Sequence, residues 1–222
     1  MFRIQAMLLL CCLGLLAAGE VVSAPVGEAG LKAIEAARAE VTLVSGVATK
    51  TVRRMDPPDA EGDAQRVAFA VDAKGRYDIT LTDPTDPDGE RTRFVSDGTR
   101  ACSMQQASKE DKPQVKFRAA GERDILNRLL SCLSMNLVDL RKDYTVELKA
   151  ADNKERELKL IPKDKALAAE FTAASVFIDA TNKPIRVILD ETNGNRQRLV
   201  VSTFTDNPKA DPLWFVLPPV KK

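Results

Sequence analysis

The stretch VTLVSGVATKTVRR, Val41 to Arg54, decides the fold. The residues before it, Glu28 to Glu40, are rich in Ala, Glu, Lys and Arg, which favour helix. They place Leu31, Ile34 and Arg38 on one side, a narrow apolar stripe. From Val41 the period falls to two and β-branched residues take over, the pattern of a long strand. Gly46 inside that strand predicts a bulge or sharp bend.

The same period continues downstream. After the loop MDPPDAEGD, QRVAFAV sets Val67, Phe69 and Val71 on one face. DAKG is a turn. RYDITL then puts Tyr77, Ile79 and Leu81 on one face and Arg76, Asp78 and Thr80 on the other, a half-buried strand. TDPTDPDGE reads as a polar hairpin loop. In RFVSDGTRACSM, Ser96 to Thr99 forms a tight turn, because Gly98 accepts positive φ and Asp97 bonds nearby backbone. Glu122 to Val138 predicts a second helix with a wide leucine face, including Ile125, Leu126 and Leu129. Strands resume at Tyr144, Leu158, Val176 and Ile185. ETNGN marks a hairpin turn, and DPLWFVLPP predicts a closing strand stopped by two prolines. A meander of about ten antiparallel strands must curl, and its apolar face needs cover. The fold class is mainly β with helices (α+β).

The chain has 222 residues and a net charge of +1. Met1-Phe2-Arg3, the apolar run Met7 to Ala18, and Val22-Ser23-Ala24 follow the plan of a signal peptide, residues 1–24. The expected mature N-terminus is Pro25, with a cut after Ala18 as the alternative. Neither Cys11 nor Cys12 follows a small residue, so no lipid anchor is read there. The remaining 25–222 suits one domain. Mixed charge near neutrality argues against nucleic acid as a partner. In an oxidising compartment, Cys102 and Cys132 form either a disulfide or two buried thiols.

Histidine is absent, which removes the commonest general base and zinc ligand. No nucleophile elbow, phosphate-cradling glycine loop or metal-binding cysteine spacing occurs. DPTDPDGE lacks the ligand order of a calcium loop. Asp78 faces away from Tyr77, so the two share no pocket. No enzyme, cofactor or metal is expected. The apolar concave face is either a plain core or a cavity for an acyl chain.

The order of these pieces resembles the periplasmic lipoprotein carrier family LolA. The resemblance rests on the first helix with the Val41–Arg54 strand, on KGRYDI, on VSDGTR and on the leucine-rich helix. KLIPKD and WFVLPP add to it. It covers most of residues 25–222. It implies an open, strongly curled antiparallel half-barrel covered by an N-terminal helix and a central lid helix, with a hydrophobic cavity between them. Tyr77, Ile79, Leu81, Ile125, Leu126 and Leu129 would line that cavity. Where the carrier itself has an Arg-Pro pair governing lid closure, this chain has Ala73 and Lys74. A Cys102–Cys132 bond would pin the lid to the barrel. The resemblance implies a monomeric periplasmic carrier of lipoproteins or other acylated cargo that visits inner- and outer-membrane components. The competing expectation is an envelope protein-interaction or stress-sensing module without lipid cargo.

Overall fold

The computed structural model describes residues 26–54, 62, 64–119, 130 and 132–219. Helix α1 spans Gly27–Arg38. Strands β1 Leu43–Arg53, β2 Gln65–Asp72, β3 Tyr77–Thr82, β4 Arg91–Ser96, β5 Arg100–Gln106 and β6 Gln114–Ala119 follow. After α2, Leu137–Asp143, come β7 Tyr144–Ala150, β8 Arg156–Pro162, the short α3 Lys165–Ala168, β9 Phe171–Ile178, β10 Pro184–Glu191 and β11 Arg196–Asp206. The strands form a single open, curled sheet of eleven, in the order β6-β5-β4-β3-β2-β1-β11-β10-β9-β8-β7. Two meanders therefore meet along one seam, β1 against β11.

The predicted irregularity in β1 lies beside Gly46. The register with β11 slips between Val47 and Ala48. Gly46 itself pairs with Phe69 on one side and Phe204 on the other, and the Thr203 carbonyl and the Phe69 ring leave no room for a side chain. The hairpin read in RFVSDGTRACSM, between β4 and β5, also forms. Gly98 has φ +91°, and Asp97 Oδ1 accepts from the backbone N–H groups of Thr99 and Arg100.

Strand pairing sorts side chains onto two faces. Val71, Tyr77, Ser96 and Ala101 are successive cross-strand partners, as are Phe69, Ile79, Phe94 and Ser103. These point to the concave face. The apolar core lies there, built from Val44, Val67, Phe69, Ile79, Leu199, Val187, Leu189, Val176, Leu158 and Leu160. Leu31 and Ile34 of α1 join it, as do Leu130, Leu133 and Leu137. Arg38, at the end of α1, is buried. Its Nη1 donates to Asp206 of β11 at 2.5 Å, its Nη2 donates to the Ser134 carbonyl at 3.3 Å, and its guanidinium lies 5.4 Å from the Phe204 ring centre.

Two expectations need correction. The helix expected over Glu122–Val138 is not continuous to Val138. Residues 130 and 132–134 are helical, Met135 takes φ +50°, and Asn136 caps a new helix by accepting from the Asp139 N–H. A short Asn side chain satisfies an N-terminal donor, so it starts a helix more readily than it continues one. The break turns Leu137 and Leu140 into the core and leaves Val138 exposed.

DPLWFVLPP is the second. It is a turn over Pro212–Phe215 rather than a strand. Asp211 Oδ1 accepts from the Leu213 N–H at 2.8 Å, the Trp214 N–H donates to the Asp211 carbonyl, and Phe215 has φ +64°. A strand there would also lack a partner beside β11, since both edges of β11 are already paired.

Candidate functional site

Alternation along β3 does place Tyr77, Ile79 and Leu81 together on the concave face. They differ in access. Ile79 is fully buried, whereas Tyr77 and Leu81 are partly buried and pack against the rim of the core. Phe94 of β4 stands beside Ile79 and is also partly buried. Sequence reading missed Phe94 as a site residue because Phe94 and Val95 are adjacent and both apolar. Only the register with β3 shows which of them turns inward. Ile125, Leu126 and Leu129 lie outside the described residues. Of the same leucine-rich stretch, Leu130, Cys132 and Leu133 are buried in the concave cluster.

The apolar face therefore runs from a fully buried centre to a half-covered end at β3 and β4. A groove of about 370 Å³ opens at that end, lined by Gln65, Leu81 and Thr92 and by the acidic hairpin residues Asp83, Asp86 and Glu90. No group of side chains suited to a metal ion occurs among the described residues.

The two cysteines are not joined. Both are buried thiols, and no disulfide links them. Register gives the reason. Cys102 is the cross-strand partner of Val95 and Phe117, which puts it on the convex face with Asp78 and Arg93. Cys132 belongs to the concave cluster. The sheet stands between them, and a disulfide requires Cα atoms within about 7 Å. Burial pushes the Cys102 thiol above its usual pKa, so it is a poor nucleophile.

The convex face carries an ion pair of its own, Asp78 buried and Arg93 half-buried. Arg93 Nε donates to Asp78 Oδ1 at 2.9 Å, and Nη2 donates to Asp78 Oδ2 and to the Leu213 carbonyl at 3.0 Å. The hydrogen bond to Asp78 raises the Arg93 pKa further. These contacts tie the C-terminal turn across the sheet, and Arg76 adds a stack on Phe215 at 4.7 Å. Ala73 and Lys74 are exposed at the β2–β3 hairpin tip, where Asp72 Oδ1 accepts from the Lys74 and Arg76 N–H groups. That tip is organised by Asp72 rather than by a buried arginine.

These features define a class, an open curled antiparallel sheet whose concave side carries the apolar core. No family model matches the chain, and no curated protein matches it. Solved structures do. A DUF1329 family protein from Desulfovibrio piger is similar with TM-score 0.43 and 10% identity, over 84% of this chain and 97% of that one. A domain proposed as an outer membrane lipoprotein-sorting protein, from Vibrio parahaemolyticus, has TM-score 0.40 and 11% identity, over 82% and 93%. The Mycobacterium tuberculosis lipoprotein LppX has TM-score 0.40 and 15% identity, over 81% and 98%. The likeness is loose in every case.

Proposed function

We propose that this protein is a non-enzymatic carrier or binding protein for acylated or similarly hydrophobic cargo, exported to the periplasm with residues 1–24 removed and acting as the single domain 25–222. Cargo would enter at the half-covered end of the concave face, between Tyr77, Leu81 and Phe94 and the stretch containing Ile125, Leu126 and Leu129. The leucine-rich helix would serve as the lid, with α1 as the fixed cover. The observation that carries this reading is the continuity of the apolar face into partly buried side chains beside an open groove. An acyl chain laid over these half-covered side chains would complete their burial, which is worth about 1.5–3 kcal/mol for a whole leucine-type side chain.

The test is binding of a fluorescent fatty-acyl probe to the delipidated protein, with native mass spectrometry of protein taken from its own periplasm. Leu81→Glu should abolish probe binding while leaving the fold intact, because Leu81 is only partly buried. An unchanged probe affinity in a folded Leu81→Glu protein, together with a consistently empty native spectrum, would overturn the carrier reading.

A second reading, an envelope protein-interaction module, is favoured by one observation. Strand β6 ends the sheet order and leaves Val115 and Phe117 exposed at 37% and 41%. Partners of such an edge add a strand to it. Protein capture that survives Leu81→Glu and is lost on Phe117→Lys would support this reading over the first.

A further inference from the structure

On the convex face, behind the core, the register gathers arginines around one groove. Arg53 of β1 stands directly opposite Arg196 of β11, and Thr51 stands opposite Arg198. On the other side of β11, Ile188 faces Arg198 and Asp190 faces Arg196. Arg186 lies two residues before Ile188 on the same face. Thr51, Arg53, Arg186, Ile188, Arg196 and Arg198 line a groove of about 300 Å³.

Like charges placed opposite each other on neighbouring strands lower stability. Carboxylates relieve part of this. Arg196 Nε pairs with Asp190 Oδ1 at 2.6 Å, and Arg186 Nη2 pairs with Glu155 Oε2 at 2.9 Å. Arg198 is exposed, and no hydrogen bond or ion pair engages it among the described residues. Arg186 is held rigid, its guanidinium 3.9 Å from the Phe177 ring centre. Its Nε is nonetheless buried without an acceptor. The groove thus holds one fixed guanidinium with an orphaned N–H donor, a threonine hydroxyl, and at Arg198 an exposed positive charge that no carboxylate offsets.

That set fits one chemistry. Guanidinium forks match the paired oxygens of phosphate and deliver two parallel hydrogen bonds. Several forks around one cavity suit an anion with more than two acceptor oxygens. We propose that this groove binds a phosphate group, either free or at the head of an anionic lipid. The assignment is independent of the concave face and of acyl cargo.

The experiment measures calorimetric binding of inorganic phosphate and of glycerol phosphate, and flotation with vesicles of phosphatidylglycerol against phosphatidylcholine. The comparison covers the parent protein, Arg198→Ala, Arg198→Lys and the control Arg66→Ala on the exposed convex surface of β2. Losing one charge-assisted bidentate contact should weaken binding about tenfold or more. Arg198→Lys should recover only part, and Arg66→Ala should have no effect. Arg198-dependent binding with equal affinity for both soluble ligands assigns phosphate itself. Arg198-dependent binding that is tightest for phosphatidylglycerol vesicles assigns a headgroup. Absence of binding to any of these probes, or equal losses in Arg198→Ala and Arg66→Ala, would overturn the site.

Discussion

A β-carbon at Gly46 would overlap the Thr203 carbonyl oxygen and reach within 2.8 Å of Phe69 Cζ. The first obstacle is backbone, which cannot swing aside. Gly46→Ala should therefore cost about 3 kcal/mol, the upper part of the overpacking range, read as a lowered urea midpoint. A neutral result would mean the seam relaxes more easily than its pairing suggests. Asp97 offers a different test. Hydrogen bonds from the Arg100 N–H, the Thr99 hydroxyl and the Thr99 N–H hold its carboxyl at a pKa of about 2. A carboxyl whose folded pKa is depressed contributes stability above its unfolded pKa, and the contribution disappears as pH falls through the folded value. Asp97→Ala should then be less stable than the parent at neutral pH, and the gap should close between about pH 4 and pH 2. A gap that ignores pH would show that the turn, not the charge, is responsible. The turn itself was legible in Ser-Asp-Gly-Thr. The fate of Cys102 was not, because Phe94-Val95 hides which face each strand of that hairpin turns inward.

Secondary-structure elements were legible wherever alternation was strict. β3 is the clearest example, with Tyr77, Ile79 and Leu81 inward and Asp78 outward. Legibility failed where local side-chain bonding overrode pattern. Asn136 broke a leucine repeat that ran on without interruption, and Asp211 with Pro212 turned an apolar ending away from strand. Half of the expected site residues share a face, and Phe94 joins them only through pairing that periodicity does not encode. Helix α1 was readable, but its anchorage was not. Arg38 occupied a place on the apolar stripe, and its partners, Asp206, Ser134 and Phe204, come from distant parts of the chain. Breaking a buried pair by removing one partner costs about 3–5 kcal/mol. Asp206 keeps some contact with water, its side chain being 27% exposed, so Arg38→Ala should cost less, about 2–3 kcal/mol. Hydrogen exchange should then speed up in α1 before it does in β1. Uniform exchange in both elements would show that α1 and the sheet form one cooperative unit.

At the level of the whole molecule, the concave face and the convex face separate two kinds of chemistry. One holds apolar bulk that opens at β3 and β4, and the other holds paired charges, the half-buried Asp78–Arg93 contact and the arginine groove. The two meanders of the sheet that separates them are joined only along the seam, and this shapes how the chain acquires its structure. Every strand pair except β1 with β11 joins strands adjacent in sequence. At the seam, the Val47 N–H reaches Thr203 Oγ1 across 156 positions. Closing a loop of that length costs on the order of 4 kcal/mol in chain entropy, whereas the hairpins of each meander close cheaply. The seam should thus be the slow step, since non-local pairing dominates folding times. In stopped-flow refolding, Ala48→Gly at the seam should slow folding, while Leu148→Ala on β7 should chiefly speed unfolding. The opposite pattern would place nucleation at the rims. A sheet wired in this way sets outward from its middle, where the first and last strands must meet before the outer hairpins gain their full support.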